Sequence, residues 1–330
     1  METPATDATP YYRLGPDAVL LAVESTGLVP DGCLLALNSY ENRVYQVGLD
    51  EAAPVVVKFY RPARWSDEQI VEEHAFALEL AAAEIPMIAP QVIDGRTLFH
   101  HGGFRFALFP RQGGHAPELD DRETLQWLGR FIGRMHAVGR SRPFRVRPEL
   151  TPERFGNESI ATVRAGRWLP PHLEIAFDSL AADLMTHVTE AWARAGSFRR
   201  LRLHGDCHPG NLLWRDGPFF VDLDDCQTGP AVQDLWMLLS GDAHEMAAQL
   251  ADIIEGYQQF SDFDHRELLL VEALRTLRML HHAAWLARRW EDPAFPLAFP
   301  WFDSPRYWED LILALREQLA AMQEPPLTLP

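Results

Sequence analysis

Two periodicities divide the chain. Residues 16–27 place Val19, Leu20 and Val23 at helical spacing. Residues 33–48, CLLALNSYENRVYQVG, read as strand, turn, strand, and the β-branched and aromatic run at 54–60, PVVVKFY, reads as a third strand. The segment 67–83 has a helical pattern: Ser66 stands at its N-cap, Glu68 and Glu72 suit its first turns, and Ile85-Pro86 ends it. TLFHHGGFRFALFP, 97–110, reads as a hairpin turning at His101-Gly102-Gly103. The order β-β-β-α-β-β predicts an antiparallel sheet with one main helix, not a doubly wound parallel sheet.

Past Gly113-Gly114 the pattern becomes helical. Residues 121–139 put Leu125, Leu128, Phe131, Ile132 and Met135 on one face, and 172–195 form a second helix. Residues 201–223 read as two short strands around a Pro-Gly turn, and helical spacing returns over 231–240, 243–260, 264–290 and 306–322. The fold class is therefore α+β with two lobes: a small antiparallel-sheet lobe over residues 1–110 and a larger, mostly helical lobe over 111–330. The length of 330 residues lets each lobe bury its own core.

Thirty Lys+Arg against 47 Asp+Glu leave a net charge of −17, which argues against non-specific binding to nucleic acid or to an anionic membrane. A local basic site on an acidic chain stays compatible with an anionic ligand. Cys33, Cys207 and Cys226 are too few for a disulfide framework. The opening METPATDATPYYRLGPD has neither the basic nor the apolar region of a signal peptide, and no apolar run is long enough to span a bilayer. A reduced, cytoplasmic protein is expected.

The densest chemical signal is LRLHGDCHPGNLLWRDGPFFVDLDD, residues 201–225. Asn211 follows Asp206 by five residues, the interval of the protein-kinase catalytic loop, and Asp222 comes eleven residues later at the end of the apolar Phe219-Phe220-Val221. Phosphoryl transfer needs a group that orients the acceptor hydroxyl and takes its proton, and hard oxygen ligands for Mg²⁺. Asp206 suits the first task; Asn211 and Asp222 suit the second. Lys58, at the end of VVVKF, suits the cation that holds nucleotide phosphates from a strand. Glu72 and Glu73 are both candidates for the carboxylate that aims it, and Glu73 is preferred for its face of the helix. The glycine-rich phosphate loop is missing: residues 38–43 read Asn-Ser-Tyr-Glu-Asn-Arg. Ser39 supplies a hydroxyl donor there, Asn tolerates positive φ, and Glu41 is tolerable beside phosphates if it turns away or pairs with Arg43. Backbone groups from Phe109 to Gln112 are candidates for holding adenine.

These residues resemble the aminoglycoside-phosphotransferase and choline-kinase-like branch of the protein-kinase-like fold. Within it the chain looks like the bacterial stress response kinase A family. The likeness is carried by LNSYENRVYQV, VVKFYRPARW, EEHAFALEL, the 201–225 segment, GPAVQDLWMLLSGD and RRWEDPAFPLAFPW. It implies a monomeric, cytoplasmic kinase that uses ATP and Mg²⁺ to phosphorylate Ser or Thr of proteins, itself included. It also implies protection from envelope or oxidative stress, and restraint of cell death linked to a toxin–antitoxin system. The family's proton acceptor corresponds to Asp206, its metal ligands to Asn211 and Asp222, and its ATP-contacting serine to Ser39.

Other readings compete. The same chemistry could act on a small alcohol of aminoglycoside, choline or sugar type. A non-catalytic nucleotide-binding module would explain the missing glycines but not the set Lys58, Asp206, Asn211 and Asp222. The string His204 to His208 could hold zinc, which explains none of those partners. Asp224 is expected on the strand face of Asp222 in a structural role, Asp234 as a helix cap bracing the catalytic loop, and Arg61 and Arg64 near phosphates or at the surface. The aromatic stretch Trp290–Trp308 is expected to plug the last helices rather than line a cleft. With Gly229-Pro230 so soon after Asp222, no long activation loop is expected.

Overall fold

The computed structural model describes residues 10–329; most of the stretch inspected for a signal peptide lies outside them. In chain order the first elements are α1 (Pro16–Glu24), β1 (Pro30–Leu37), β2 (Arg43–Leu49), β3 (Ala52–Phe59), α2 (Asp67–Ala82), β4 (Phe99–His101) and β5 (Phe104–Pro110). Then come α3 (Arg122–Gly139), α4 (Glu158–Ala165), α5 (Pro171–Ala195), β6 (Leu201–Leu203), β7 (Leu212–Trp214), β8 (Pro218–Phe220) and β9 (Gln227–Gly229). The chain finishes with α6 (Gln233–Trp236), α7 (Ala243–Tyr257), α8 (Val271–Arg289), α9 (Ala294–Ala298) and α10 (Pro305–Gln323).

Two compact units result. The first runs up to Ala116 and adds Arg145–Arg147 and Gly210–Asp224; the second holds the rest. The first unit contains the sheet β1-β2-β3-β5-β4, antiparallel throughout. In β3, Val55, Val57 and Phe59 alternate into a core shared with Val19 and Val23 of α1. The period of two therefore sends Lys58 to the other face, between Val44 of β2 and Ala107 of β5. A capping box between Ser66 and Gln69 starts α2, which buries Ile70, Glu73, Phe76, Ala77 and Leu80. The β4–β5 hairpin turns on Gly102 and Gly103 with φ of 57° and 85°, a pair of positive values that favours glycine at both positions.

The β7–β8 hairpin is tied to the first unit through Phe220, whose N–H donates to Pro86 O at 2.8 Å and whose C=O accepts from Ile88 N–H at 2.9 Å. That tie brings the residues after β8 beside α2. The boundary expected at 110 falls at the end of β5, the first stretch of the first unit runs on to Ala116, and residues 210–224 group with the sheet.

The second unit is helical, as its pattern predicts. Its core joins α4, α5, α8 and α10 with Phe295, Phe302 and Trp308, all fully buried. The stretch Trp290–Trp308 thus plugs the last helices. Four details depart from the periodicity. Residues 231–240 form only the four-residue α6, and 3-10 geometry over His265–Leu270 precedes α8. An unforeseen α4 follows a π-turn at Glu153–Asn157. The 201–223 region contains three strands, because β6 is completed by β9, a partner 26 residues further along.

Candidate active site

In the first unit, charged residues converge on Lys58, which is 6% exposed. Its Nζ lies 2.7 Å from Asp222 Oδ1, 3.2 Å from Asp224 Oδ1 and 3.9 Å from Glu73 Oε1. Burial acts against the ammonium, yet Asp222, Asp224 and Glu73 outweigh it and hold its pKa well above the usual value. Burial pushes the Glu73 carboxyl up to about 7, against the pull of Lys58. Glu72 does something different: its carboxylate accepts from the backbone N–H groups of Arg145, Val146 and Arg147 at 2.6, 2.9 and 2.8 Å.

The short segment held by Glu72 delivers Arg147. Its guanidinium packs over the Trp65 ring, donates to Asp224 O at 2.5 Å and stands 3.9 Å from Glu73. Arg64 pairs with the Asp224 carboxylate. Burial opposes ionisation of Asp224, but Arg64, Lys58 and Arg147 keep its carboxyl well below the usual carboxylate range. Asp224 is not on a strand face: it sits in a 3-10 turn, Leu223–Asp225, after a left-handed Asp222 with φ of 62°. The turn separates the two acids, leaving the Asp222 side chain 49% exposed and that of Asp224 4% exposed.

Asn211 ends a 3-10 turn, and its C=O accepts from Val221 N–H at 3.1 Å, which ties it to the residue before Asp222. Ser39 Oγ donates to Asn42 O at 3.1 Å within the β1–β2 turn. No residue from 38 to 43 has positive φ, so Asn does not replace glycine through left-handed backbone there. Asn42 is instead buried, and its side chain accepts from Arg61 N–H at 3.1 Å. Glu41 pairs with Arg61 at 3.0 Å and reaches Arg64 at 3.7 Å, so these arginines brace the turn and Asp224. Phe109 lies on β5 opposite Val56, its ring edge-on to His74. His74 lies between Tyr60 Oη at 2.6 Å and Thr97 Oγ1 at 2.8 Å; burial brings its pKa down to about 3, so it is neutral.

Asp206 belongs to the second unit. Arg278 Nη1 donates to its Oδ1 at 2.5 Å, and His208 Nε2 stands 3.3 Å from its Oδ2. Burial would raise its pKa, but His208 and Arg278 hold the carboxyl well below the usual range. The loop is braced from below. Asp234 accepts from the backbone N–H groups of His204 and Gly205, both at 2.8 Å, and contacts His136 Nε2 at 3.0 Å. Asp234 therefore braces the loop without capping α6, whose N-cap is Val232 with no side-chain bond. Gly205 has φ of 86°, and a Cβ there would run into Asp225 O, so the turn before Asp206 requires glycine.

Among the described residues no cluster of three His, Cys, Asp or Glu side chains could hold a metal ion, and Cys207 is fully buried with its thiol pKa pushed up by burial. The zinc reading of 204–208 finds no set of ligands there. The structure also brings in Arg147 and Arg278, which sequence spacing did not single out; neither carries a local motif.

Residues 34–271 match the phosphotransferase enzyme family, APH. The serine/threonine protein kinase RdoA of Salmonella typhimurium is 46% identical over 323 residues, 98% of each chain. Stress response kinase A of Escherichia coli K12 is 47% identical over 319 residues, 97% of each. Among solved structures, amicoumacin kinase hAmiN in complex with AMP-PNP, Ca²⁺ and Ami superposes with a TM-score of 0.71 at 17% identity, covering 94% of this chain and 95% of that one. That likeness shows the protein-kinase-like fold with its antiparallel-sheet and helical lobes. The chain belongs to the phosphotransferase enzyme family, within its stress response kinase A branch, and is a phosphotransferase that uses a hydroxyl group as acceptor.

Proposed function

We propose that the chain is an ATP- and Mg²⁺-dependent protein kinase that phosphorylates Ser or Thr, itself included, as a cytoplasmic monomer acting in stress response and protection from stress-induced death. The observation that carries the nucleotide reading is one buried ammonium, Lys58, gathered with Glu73 and Asp222 at one end of β3. Charges are buried this way at a desolvation cost of several kcal/mol per ion, which a phosphate-binding role explains. The protein acceptor is supported by a relative of 46% identity named as a serine/threonine protein kinase.

In this reading Lys58 holds the phosphates, Glu73 aims Lys58, and Ser39 with the β1–β2 turn covers the phosphates in place of a glycine loop. The backbone from Phe109 to Gln112 holds adenine. The donor chemistry fits Mg²⁺: Asn211 and Asp222 offer hard oxygens, and Asp222 is half-exposed while Asp224 is buried against Arg64. When bound, the ion neutralises phosphate charge. Asp206 orients the acceptor hydroxyl and takes its proton as the oxygen bonds the γ-phosphorus and the bond to ADP breaks. No helix among the described residues is long and apolar enough to cross a membrane.

Labelled ATP offered in parallel to generic protein substrates and to a panel of small alcohols tests the reading. Label on proteins, with phosphosites on Ser or Thr by mass spectrometry, is expected. Label confined to small alcohols overturns the protein acceptor.

A further inference from the structure

The reading above gives Asp206 a task but leaves its partner Arg278 without one. Arg278 projects from α8, and its side chain is 46% exposed, so it reaches the carboxylate from the solvent side rather than from a packed core. Along α8, His282, Trp285 and Arg289 share its face at steps of four, three and four residues. His282 stacks on Trp285 at 5.8 Å and 22°, and Arg289 lies over the same ring at 5.4 Å. Phe295 and Phe299 pack behind Trp285 at 5.0 and 5.7 Å. The helix has one acidic residue, Glu272, and its carboxylate is engaged by Arg275 at 3.1 Å and Gln318 at 2.9 Å. On a chain of net charge −17, the face of α8 leading away from Asp206 carries Arg278, Arg289 and Trp285, with His282 between them held towards its neutral form by burial and by Arg278.

We infer that Arg278 selects the acceptor, and that the enzyme takes hydroxyl acceptors bearing an anionic group beside the reacting hydroxyl: an acidic segment around a Ser or Thr, laid along this face of α8. The inference rests on the assignment of Asp206 to the acceptor hydroxyl. A carboxylate arriving next to that hydroxyl offers Arg278 a second anion. Arg278 exchanges one ion pair for another, and Asp206 Oδ1 becomes available to the hydroxyl proton. A cationic acceptor meets the like charge of Arg278 and offers no replacement partner, so Oδ1 stays occupied. Arg278 is thus a specificity-determining residue that works by leaving Asp206 only for an acceptor of the right charge.

The test is kcat/KM with Mg-ATP for two matched pairs of acceptors: serine peptides flanked by Asp or by Lys, and small alcohols carrying a carboxylate or an amine. The wild type is expected to favour the anionic member by about tenfold or more. Arg278→Lys keeps the preference, and Arg278→Glu reverses it. Where Arg278→Glu fails to fold, Arg278→Ala must bring the ratio to near one. A wild-type ratio near one, or a ratio that these variants do not move, overturns the inference. Peptides labelled without regard to charge sink this inference and leave the protein-kinase reading standing. Label on alcohols alone sinks the protein acceptor, and the charge ratio among the alcohols still decides the role of Arg278. Label on no acceptor counts against both.

Discussion

Lys58 and Asp206 are both ionised groups facing opposite charge, but they are held in opposite ways. Lys58 is buried among three carboxylates, and one of these, Asp224, is itself fixed by Arg64 and Arg147. Asp206 has a half-exposed arginine on one oxygen and a partly exposed histidine on the other. Coulomb attraction is several-fold stronger in a buried cluster than beside water, and losing a partner there leaves a charge that water cannot reach. The buried part of the cluster, Lys58 with Glu73 and Asp224, is therefore the more rigidly held of the two. The pair at Asp206 is open to water, which is compatible with the exchange of partners inferred above for Arg278.

Neutralising Asp206 gives the largest effect that can break this contrast. Asp206→Asn should lower phosphate transfer by about 10²–10⁴-fold, the usual contribution of a positioned acid or base, while nucleotide affinity by calorimetry stays the same. Transfer at the wild-type rate would remove Asp206 from the chemistry. Stability should fall by less than it does when a fully buried pair is broken, since Arg278 is half-exposed.

Asp224→Ala should show its main effect in stability. It leaves Lys58, Arg64 and Arg147 short of a buried counter-charge, and removing one partner from a buried ion pair costs about 3–5 kcal/mol. Urea unfolding measures this; a loss below about 1 kcal/mol would mean that the cluster behaves like a surface pair.

Glu73 sharpens the comparison through pH. Its carboxyl is raised from an ordinary 4.5 to about 7 by burial. A raised pKa contributes stability that is full below the unfolded value and lost as pH rises through the folded one. Glu73→Gln removes that titration, so the variant should gain on the wild type by roughly 1–3 kcal/mol between pH 4.5 and 7.5 in thermal or urea unfolding. A pH-independent difference would contradict a buried, uncharged-leaning Glu73. Asp224 and Asp206 run the other way: their depressed pKa values contribute stability above the ordinary carboxylate range that is lost as pH falls below it.

The smallest effect tests whether the buried cluster depends on the helix that carries Glu73. Ser66→Ala removes half of the α2 capping box and should cost about 1 kcal/mol in unfolding experiments. Hydrogen exchange should rise in the first turn of α2 and not around Glu73, because Ile70, Phe76 and Leu80 anchor the rest of the helix in the core.

Much of the fold could be read from local pattern. Val55, Val57 and Phe59 alternate, which places Lys58 on the opposite face, and Ser66 and Gln69 mark the start of α2. The short elements were less legible. β6 has three residues and no periodicity of its own, and it exists because β9 completes it. Residues 231–240 carry apolar spacing that a helix would use, yet only α6 forms, with Asp234 turned to the backbone of His204 and Gly205. In the candidate site, the spacing from Asp206 to Asn211 to Asp222 and the strand-borne Lys58 were visible as motifs. The choice between Glu72 and Glu73 was not, because adjacent helical residues differ in facing by about 100° and only the neighbours decide which face is buried. Here Glu73 turns to Lys58 and Glu72 to the 145–147 backbone.

Taken alone, the order of residues was enough for whatever depends on near neighbours: the alternation of the strands, the caps and apolar stripes of the helices, the interval between loop carboxylate and amide. Pairings between distant positions came only with the folded chain. Arg64 and Arg147 on Asp224, and Arg278 on Asp206, join residues 160, 77 and 72 positions apart. Such contacts leave no period in the sequence, since an arginine far along the chain is drawn to a carboxylate only after packing has removed the water that would otherwise solvate both.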